Sequence, residues 1–510
     1  MSKTTTPGPL PGPLPAFLQP RFLFALVAAL TLAKLLAAWG AHFVEDEAYY
    51  RIWGLNPALS YYDHPPMIGW WIFLGQQVFG DTIFAARVLV VLSSAVGSLV
   101  LWRTAFVLFE ARTAGWAVLF FNTSILVGVG GILATPDAPS VFFWGLSFWA
   151  LAELQTSRNA NWWLVVGLFA GLGLLSKYSV LFLGAGIVLW LLWVPEARRW
   201  FGRWQLWAGG LLAVALFSPV LYWNHLHDWA SFAKQFGRAG SDGGYTLKYI
   251  FEFIGAVVGL LNPLIAVLAF MGAAKLAPRV WQRDATASLV LLTLLPFLLY
   301  LTYHSLHARV QGNWPAPLFP AMGLLAAVFV ARLDERARIW RGLAIGGVVL
   351  GAVVACVVQL HAAIPLSGAL GRKDPTHQLR GWPEIGRKIE RIAAETGADY
   401  VLTSGYGLNA QIDFLLKDRL PVYQVNERIR YVMAPDPDPD SLTGTGLYVA
   451  EDRRDAHERF KEFFGSVELV AELPRTVRGE RLEDIRVYEL IRPSGMPLDP
   501  VGGTGPDGRD

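Results

Sequence analysis

Runs of about twenty apolar residues follow one another from about residue 20 to about residue 360, each long enough to cross a bilayer as a helix. No soluble core absorbs so many runs. A chain that places them in lipid must satisfy its backbone groups internally, which leaves helices or a closed barrel. Runs of this length and unbroken apolarity select helices. Composition agrees: 54% of residues are hydrophobic and 16% charged, against about 25% charged in a soluble domain. The 21 Trp and 30 Phe suit bilayer interfaces. The expected fold is therefore mainly α, a polytopic membrane protein. Spans are expected at 21–40, 82–108, 114–134, 138–155, 161–176, 178–195, 205–223, 249–274, 286–303, 315–332 and 341–361, about eleven in all. The apolar stretch 66–80 is shorter and follows a double proline, which reads as an interfacial helix.

The basic residues orient this bundle. With the N-terminus inside, inside loops carry Arg112, Arg158, Arg198, Arg199, Arg203, Lys275, Arg279, Arg283, Arg332, Arg336, Arg338 and Arg341. Outside loops carry only Arg51, Lys234, Arg238, Lys248 and Arg309, as the positive-inside rule requires. The net charge of +3 gives no argument for nucleic acid. Cys356 is the sole cysteine, so intrachain disulfides and cysteine metal sites are excluded. No small-residue cleavage site follows the first run, which reads as a retained span. Four regions are expected: a disordered cytoplasmic stretch 1–20, a membrane domain 21–361, an outer domain 362–492 and a disordered Gly/Pro-rich tail 493–510. Within 362–492, helical spacing at 383–396 and 409–416 alternates with short strand-like runs at 400–403, 422–425 and 447–450. That alternation predicts a small α/β domain.

Chemistry concentrates in the outer loops. Between the first two runs lies Val44-Glu45-Asp46-Glu47-Ala48-Tyr49-Tyr50, followed by Tyr61-Tyr62-Asp63-His64-Pro65-Pro66-Met67. Carboxylates such as Asp46 and Glu47, held partly desolvated beside a bilayer, can take a proton from an acceptor hydroxyl. The plainer reading is an acidic first turn on a helix starting near Ala48. The prolines stiffen the backbone that aims Asp63 and His64, although Asp63 can equally cap a helix. Asp46, Asp63 and His64 are candidate ligands of a divalent metal ion; their spacing leaves convergence open. Asp137, in Thr135-Pro136-Asp137, suits a helix cap or a site carboxylate. Lys177 sits between two apolar spans, where it snorkels or pairs with an anion. His225, His227, Asp228, Lys234 and Arg238 share one outer loop. His304, His307, Arg309, Gln311, Asn313 and Trp314 share another, where guanidinium groups can clamp a phosphate.

Taken together, Asp46-Glu47-Ala48-Tyr49-Tyr50, Tyr62-Asp63-His64-Pro65-Pro66-Met67, Thr135-Pro136-Asp137, Ser176-Lys177-Tyr178, Trp223-Asn224 and Arg309-Val310-Gln311-Gly312-Asn313-Trp314-Pro315 resemble the GT-C-type polyprenyl-phosphate-sugar glycosyltransferases. That superfamily includes protein O-mannosyltransferases and the lipid A aminoarabinose transferases. The resemblance is strongest to the branch with lipid A and core galacturonic acid transferases. It implies a GT-C-like bundle in a bacterial inner membrane, with its active site facing the periplasm. The implied partners are a polyprenyl-phosphate-linked sugar donor, a glycolipid or glycan acceptor such as lipid A or core oligosaccharide, and membrane lipids. By resemblance Asp46 matches the essential first-loop aspartate, Asp63 the second acidic position, and Lys177 a lysine near the donor phosphate. Arg238 and Arg309 are further donor-phosphate candidates, and His64, Tyr49, Tyr62, Asp137, Asn313 and Trp314 candidate substrate contacts. In the aminoarabinose transferases a lysine commonly stands where this chain has His64.

A transporter or lipid flippase is the competing class, with a non-catalytic scaffold as the third. Transporters hold ionisable groups near the membrane midplane. Here most spans carry no acid, and Lys34, Glu153 and Glu252 are expected to lie near span ends or to reach them.

Overall fold

A computed structural model of the chain describes residues 14–237, 244–334 and 336–501. The first helix, α1 (Pro20–Gly40), starts with proline at its first position and leads to α2 (Glu45–Leu55), which carries the acidic loop in its opening turn. The double proline precedes α3 (Met67–Phe79), short as expected. Thr82 then caps α4 (Ile83–Leu108) by accepting from the Ala85 amide at 3.1 Å. The bundle continues with α5 (Ala111–Thr123), α6 (Ile125–Gly130), α7 (Asp137–Ser157), α8 (Trp162–Leu174), α9 (Leu181–Trp193), α10 (Trp204–Leu226) and α11 (Ala230–Gly237). After the loop come α12 (Lys248–Leu261), α13 (Pro263–Trp281), α14 (Ala285–Leu292), α15 (Leu295–His304), α16 (Phe319–Val330) and α17 (Arg338–Ala363). By length and apolarity α1, α4, α10, α13, the α14–α15 pair and α17 can each cross a membrane, and three shorter apolar helices accompany them.

Several expected spans are not single helices. The 114–134 stretch breaks at Ser124, whose extended backbone (φ −63°, ψ 137°) separates α5 from α6, and helix ends at Gly130. The 249–274 stretch breaks at Asn262, which takes φ +85°, a region an asparagine tolerates better than most residues. Its side chain accepts from the Leu264 amide at 3.1 Å and donates to the Gly347 carbonyl at 2.8 Å, while Pro263 opens the next helix. At the N-terminus, 1–13 lies outside the described residues, but 14–20 is ordered: Ala16–Leu18 forms a helical turn and Leu18 is buried. The expected disordered stretch is thus too long by these residues. Close helix packing uses glycine where backbones touch. A Cβ on Gly167 of α8 would stand 2.1 Å from the Gly209 carbonyl oxygen of α10.

The intramembrane charges do not all behave as expected either. Glu153 is neutralised by Arg103, 2.6 Å away, and Glu252 pairs with the exposed Arg309 at 3.3 Å. Lys34 reaches no interface: it is 5% exposed, and its ammonium donates to Ser94 of α4 at 3.2 Å.

Beyond α17, two helices and a sheet form the appended domain: α18 (Trp382–Thr396), β1 (Tyr400–Thr403), α19 (Tyr406–Leu416), β2 (Val422–Gln424), β3 (Gly446–Glu451), β4 (Phe464–Val477) and β5 (Glu480–Pro493). The sheet order is β2-β1-β3-β5-β4, parallel between β1 and its two neighbours and antiparallel beyond. The two-residue period of β1 splits its side chains. Val401 packs with Ile385 and Ile412 of the two helices, whereas Tyr400 and Leu402 join Tyr448 and Phe460 on the opposite face. The β4–β5 hairpin turns at Arg478 (φ 47°) and Gly479 (φ 85°), a conformation matched to strand twist. The tail to residue 501 is held in part, with Asp499 bonded to Val425 and paired with Arg459; 502–510 lies outside the described residues.

Two anchors fix this domain to the membrane part. Arg51 of α2 pairs with both Asp81 and Asp413 of α19, and Gln411 donates to the Phe43 carbonyl at 3.0 Å. A further pair lies wholly within the membrane part, Glu47 with Arg87 of α4, both 0% exposed. Arg87 Nε donates to Glu47 Oε1 at 2.8 Å, and its remaining donors reach the Ala41 and His42 carbonyls, each at 2.7 Å. Glu47 also accepts from the Val44 amide at 3.2 Å and the Ala134 amide at 2.8 Å. Glu47, expected as a catalytic carboxylate, is sealed from solvent, and its oxygens are already engaged by Arg87 and two backbone amides. Glu47→Gln leaves the Arg87 charge buried without its counter-ion. Thermal unfolding of the purified protein in detergent is expected to show a loss of about 3–5 kcal/mol, and a smaller loss for Glu47→Gln combined with Arg87→Met.

Candidate active site

Asp46 and Glu47 are neighbours on one helical turn, so they point about 100° apart. As Glu47 turns inward to Arg87, Asp46 faces a cavity of about 390 Å³. The cavity follows α4 from Val90 to Thr104, about 21 Å at 1.5 Å per residue, into the membrane part of the bundle. Along that stretch its wall is mainly apolar, with Leu101, Phe142 and Phe148. At the outer end Asp46, Thr135, Asp137, Gln311, Asn313 and Gln378 gather. The arrangement accepts an amphipathic molecule, tail along α4 and polar head among the carboxylates.

Asp46 is open to this cavity but walled by protein beyond it. Burial pushes its carboxyl above the ordinary value, and the Tyr406 hydroxyl, donating to Oδ1 at 2.9 Å, offsets part of that rise. A carboxylate so placed is poised to accept a proton. Asp63 is the opposite case. Burial pushes it up, but Arg430 and Lys234 outweigh burial and hold it at about 2. Lys234 stands 3.0 Å from Oδ1, Arg430 bonds the same oxygen, and the Tyr49 hydroxyl lies 2.9 Å from Oδ2. The Gln235 amide also donates to the Asp63 carbonyl at 2.6 Å. Asp63 thus has no proton affinity left at neutral pH. Its ion pairs join the first loop, α11 and the appended domain, and they set it apart from Asp46, beside which it was expected to act.

Asp137, in the first turn of α7, receives the Lys177 ammonium on Oδ1 at 2.7 Å and the Asn313 amide on Oδ2 at 2.6 Å. Three residues singled out from separate loops therefore meet at one carboxylate. His64 is nearly enclosed; burial first, and the nearby Lys177 charge second, lower its imidazole to about 4. It is neutral near pH 7 and offers a hydrogen bond rather than a charge. Tyr62 lies beneath Lys234, whose Nζ is 4.3 Å from the ring centre, and Tyr49 is buried among Tyr50, Trp53, Tyr406 and Tyr431. Trp314 packs against His304, 5.3 Å between ring centres. Arg309 is 77% exposed and does not line the cavity, and Arg238 lies outside the described residues. Asp46, Asp63 and His64 do not converge as a metal ligand set. Asp63 is saturated by cations, and among the described residues no three His, Cys, Asp or Glu side chains group together.

The appended domain supplies what sequence reasoning missed. Tyr406 reaches Asp46 across 360 positions of chain, and Arg430 reaches Asp63 across 367. The basic run near Arg430 gave no local pattern, and Lys234 was visible only as one basic residue of a loop.

Residues 63–223 match the family described as dolichyl-phosphate-mannose-protein mannosyltransferase. The chain is 28% identical over 406 residues to the lipid A galacturonosyltransferase RgtD of Rhizobium johnstonii, covering 79% of this chain and 84% of that protein. It is also 28% identical over 359 residues to the undecaprenyl phosphate-alpha-4-amino-4-deoxy-L-arabinose arabinosyl transferase of Edwardsiella ictaluri, spanning 64% of this chain and 59% of that longer protein. The fold is shared with ArnT from Cupriavidus metallidurans bound to undecaprenyl phosphate, with a TM-score of 0.64 at 17% identity over 92% of this chain and 98% of that one. The matched family, the relatives and the shared fold agree with the resemblance carried by the loop motifs: the chain is a membrane glycosyltransferase similar to the GT-C-type enzymes that use polyprenyl-phosphate sugars.

Proposed function

We propose that this enzyme moves a sugar from a polyprenyl-phosphate donor to a lipid A or core-oligosaccharide acceptor, on the periplasmic side of the inner membrane. The observation that carries the reading is the cavity itself: a mainly apolar corridor about 21 Å long that ends at Asp46 and Asp137. The isoprenoid tail lies along α4 and the sugar among the carboxylates. The inside bias of arginine and lysine supports the periplasmic assignment. Names of relatives support the substrate classes: one acts on lipid A, and others are named for undecaprenyl-phosphate donors.

In the reaction an acceptor oxygen attacks the anomeric carbon as the bond from that carbon to the lipid phosphate oxygen breaks. The phosphate leaves with the electron pair, and the acceptor proton passes to Asp46. A single displacement inverts the anomeric centre. The leaving phosphate changes from diester to monoester and gains negative charge, so a cation near it is worth more in the transition state than in the ground state. Lys177, held by Asp137, fills that role. Transport without transfer is disfavoured because two of the three ionisable groups noted in the spans are neutralised locally, by Arg103 and Arg309.

Asp46→Asn is expected to lower turnover about 10²–10⁴-fold while expression and unfolding temperature persist. The check is mass spectrometry of lipid A, core glycan and polyprenyl-phosphate sugars from a deletion strain carrying either version. A missing acceptor sugar restored by wild type alone supports transfer; unchanged glycans in the deletion strain refute it. Tyr406→Phe removes the hydrogen bond that favours ionised Asp46. The Asp46 carboxyl then rises further, and the acidic limb of the pH–rate profile moves to higher pH. An unmoved limb would separate Tyr406 from proton transfer.

A further inference from the structure

Lys34 is the buried cation that the proposed reaction does not use. It lies six residues before the outer end of α1, about 9 Å below it. Its Nζ turns inward to Ser94, eleven residues into α4, rather than out to the interface. At 5% exposure it has no ion-pair partner among the described residues, and its ammonium donates to the Ser94 hydroxyl at 3.2 Å. The cations around the first loop are different: Lys177 faces Asp137, and Lys234 and Arg430 face Asp63. A lysine at membrane depth is costly to retain unless an anion meets it.

The neighbourhood gives such an anion a place. Ser94 and Gly131 both line the cavity. Gly131 is a second neighbour of the ammonium: a Cβ there would stand 3.0 Å from Nζ, space that the glycine leaves free of a side chain. Ser93 and Gly130 extend the same wall. We propose that Lys34, with Ser94, forms an oxyanion subsite in the wall of the donor cavity, taking one anionic group of the substrate below the carboxylate cluster. That group is either the lipid phosphate or a carboxylate on the transferred sugar, and both are oxyanions that an ammonium and a hydroxyl can hold. The inference rests on the donor reading of the cavity given above.

The test measures binding to the full-length protein in detergent, apart from turnover. Its probes are undecaprenyl phosphate against uncharged undecaprenol, and D-galacturonate against neutral D-galactose. Lys34→Met is expected to weaken one anionic probe at least tenfold and to leave its uncharged counterpart within twofold. Lys34→Arg should keep most of the affinity. Loss confined to undecaprenyl phosphate assigns the subsite to the lipid phosphate; loss confined to galacturonate assigns it to a sugar carboxylate. If wild type binds an anionic probe and Lys34→Met binds it equally well, the subsite is overturned and the donor reading stands. If wild type binds none of the probes, the donor reading falls and the subsite with it. Should Lys34→Met fail to fold, Ser94→Ala takes its place: a drop of threefold or more for one anion supports the subsite, and unchanged binding overturns it.

Discussion

Arg87 reaches from the start of α4 to Glu47 and to the two carbonyls that follow α1, and on its other side Glu47 gathers the amides of Val44 and Ala134. This one buried pair ties together the end of α1, the start of α2, α4 and the turn before α7. Taking two charges out of water is expensive, and Coulomb attraction alone seldom repays it. Here the added backbone hydrogen bonds saturate both groups, which is the condition under which such a pair is tolerated. The consequence is geometric. With Glu47 fixed inward, Asp46 can only face the cavity, and the Ala134 bond holds the turn that delivers Asp137 to the same place.

The appended domain is part of the site rather than an ornament on it. Asp46 is tuned by Tyr406 and Asp63 is neutralised by Arg430, both from that domain, while Arg51 grips Asp413 behind them. The first loop therefore has no settled electrostatics without the domain. Asp63 shows how strongly the pairing acts: burial alone would make it a weak acid, yet two cations hold it ionised to about pH 2. Its folded value lies below its unfolded one. The stability it gives is present above the ordinary carboxylate range and is lost as pH falls toward about 2.

Much of this arrangement was legible in the chain. Long apolar runs gave the bundle, and the motif residues Asp137, Lys177 and Asn313 proved to share one carboxylate. The breaks were less legible for different reasons. Asn262-Pro263 is a breaker dipeptide that the surrounding apolarity masked, whereas Ser124 offered no comparable signal. The β4–β5 hairpin went unseen because its outer residues, such as Glu468, Glu472 and Arg481, erase the apolar pattern, leaving only Arg478-Gly479 as a turn signal. Roles within the first loop were the hardest to separate. Asp46, Glu47 and Asp63 are alike in sequence, and only their partners, set by contacts as far as Arg430, leave one facing the cavity and hold the other two in ion pairs.

That division of labour among similar carboxylates bears on how the site handles a charged donor. On the proposed reading, a lysine left without a carboxylate partner at the reacting end would bind the diester phosphate strongly from the start, lowering the ground state as much as the transition state. Lys177 is instead held by Asp137, which shares itself with Asn313. The diester carries one charge and competes weakly for the ammonium; the departing monoester carries more and competes better. Lys177 can then shift toward the phosphate as charge develops, while Asn313 keeps a hydrogen bond on the carboxylate it leaves. The pairing that looks like neutralisation at rest is what lets the cation act selectively at the moment the bond breaks.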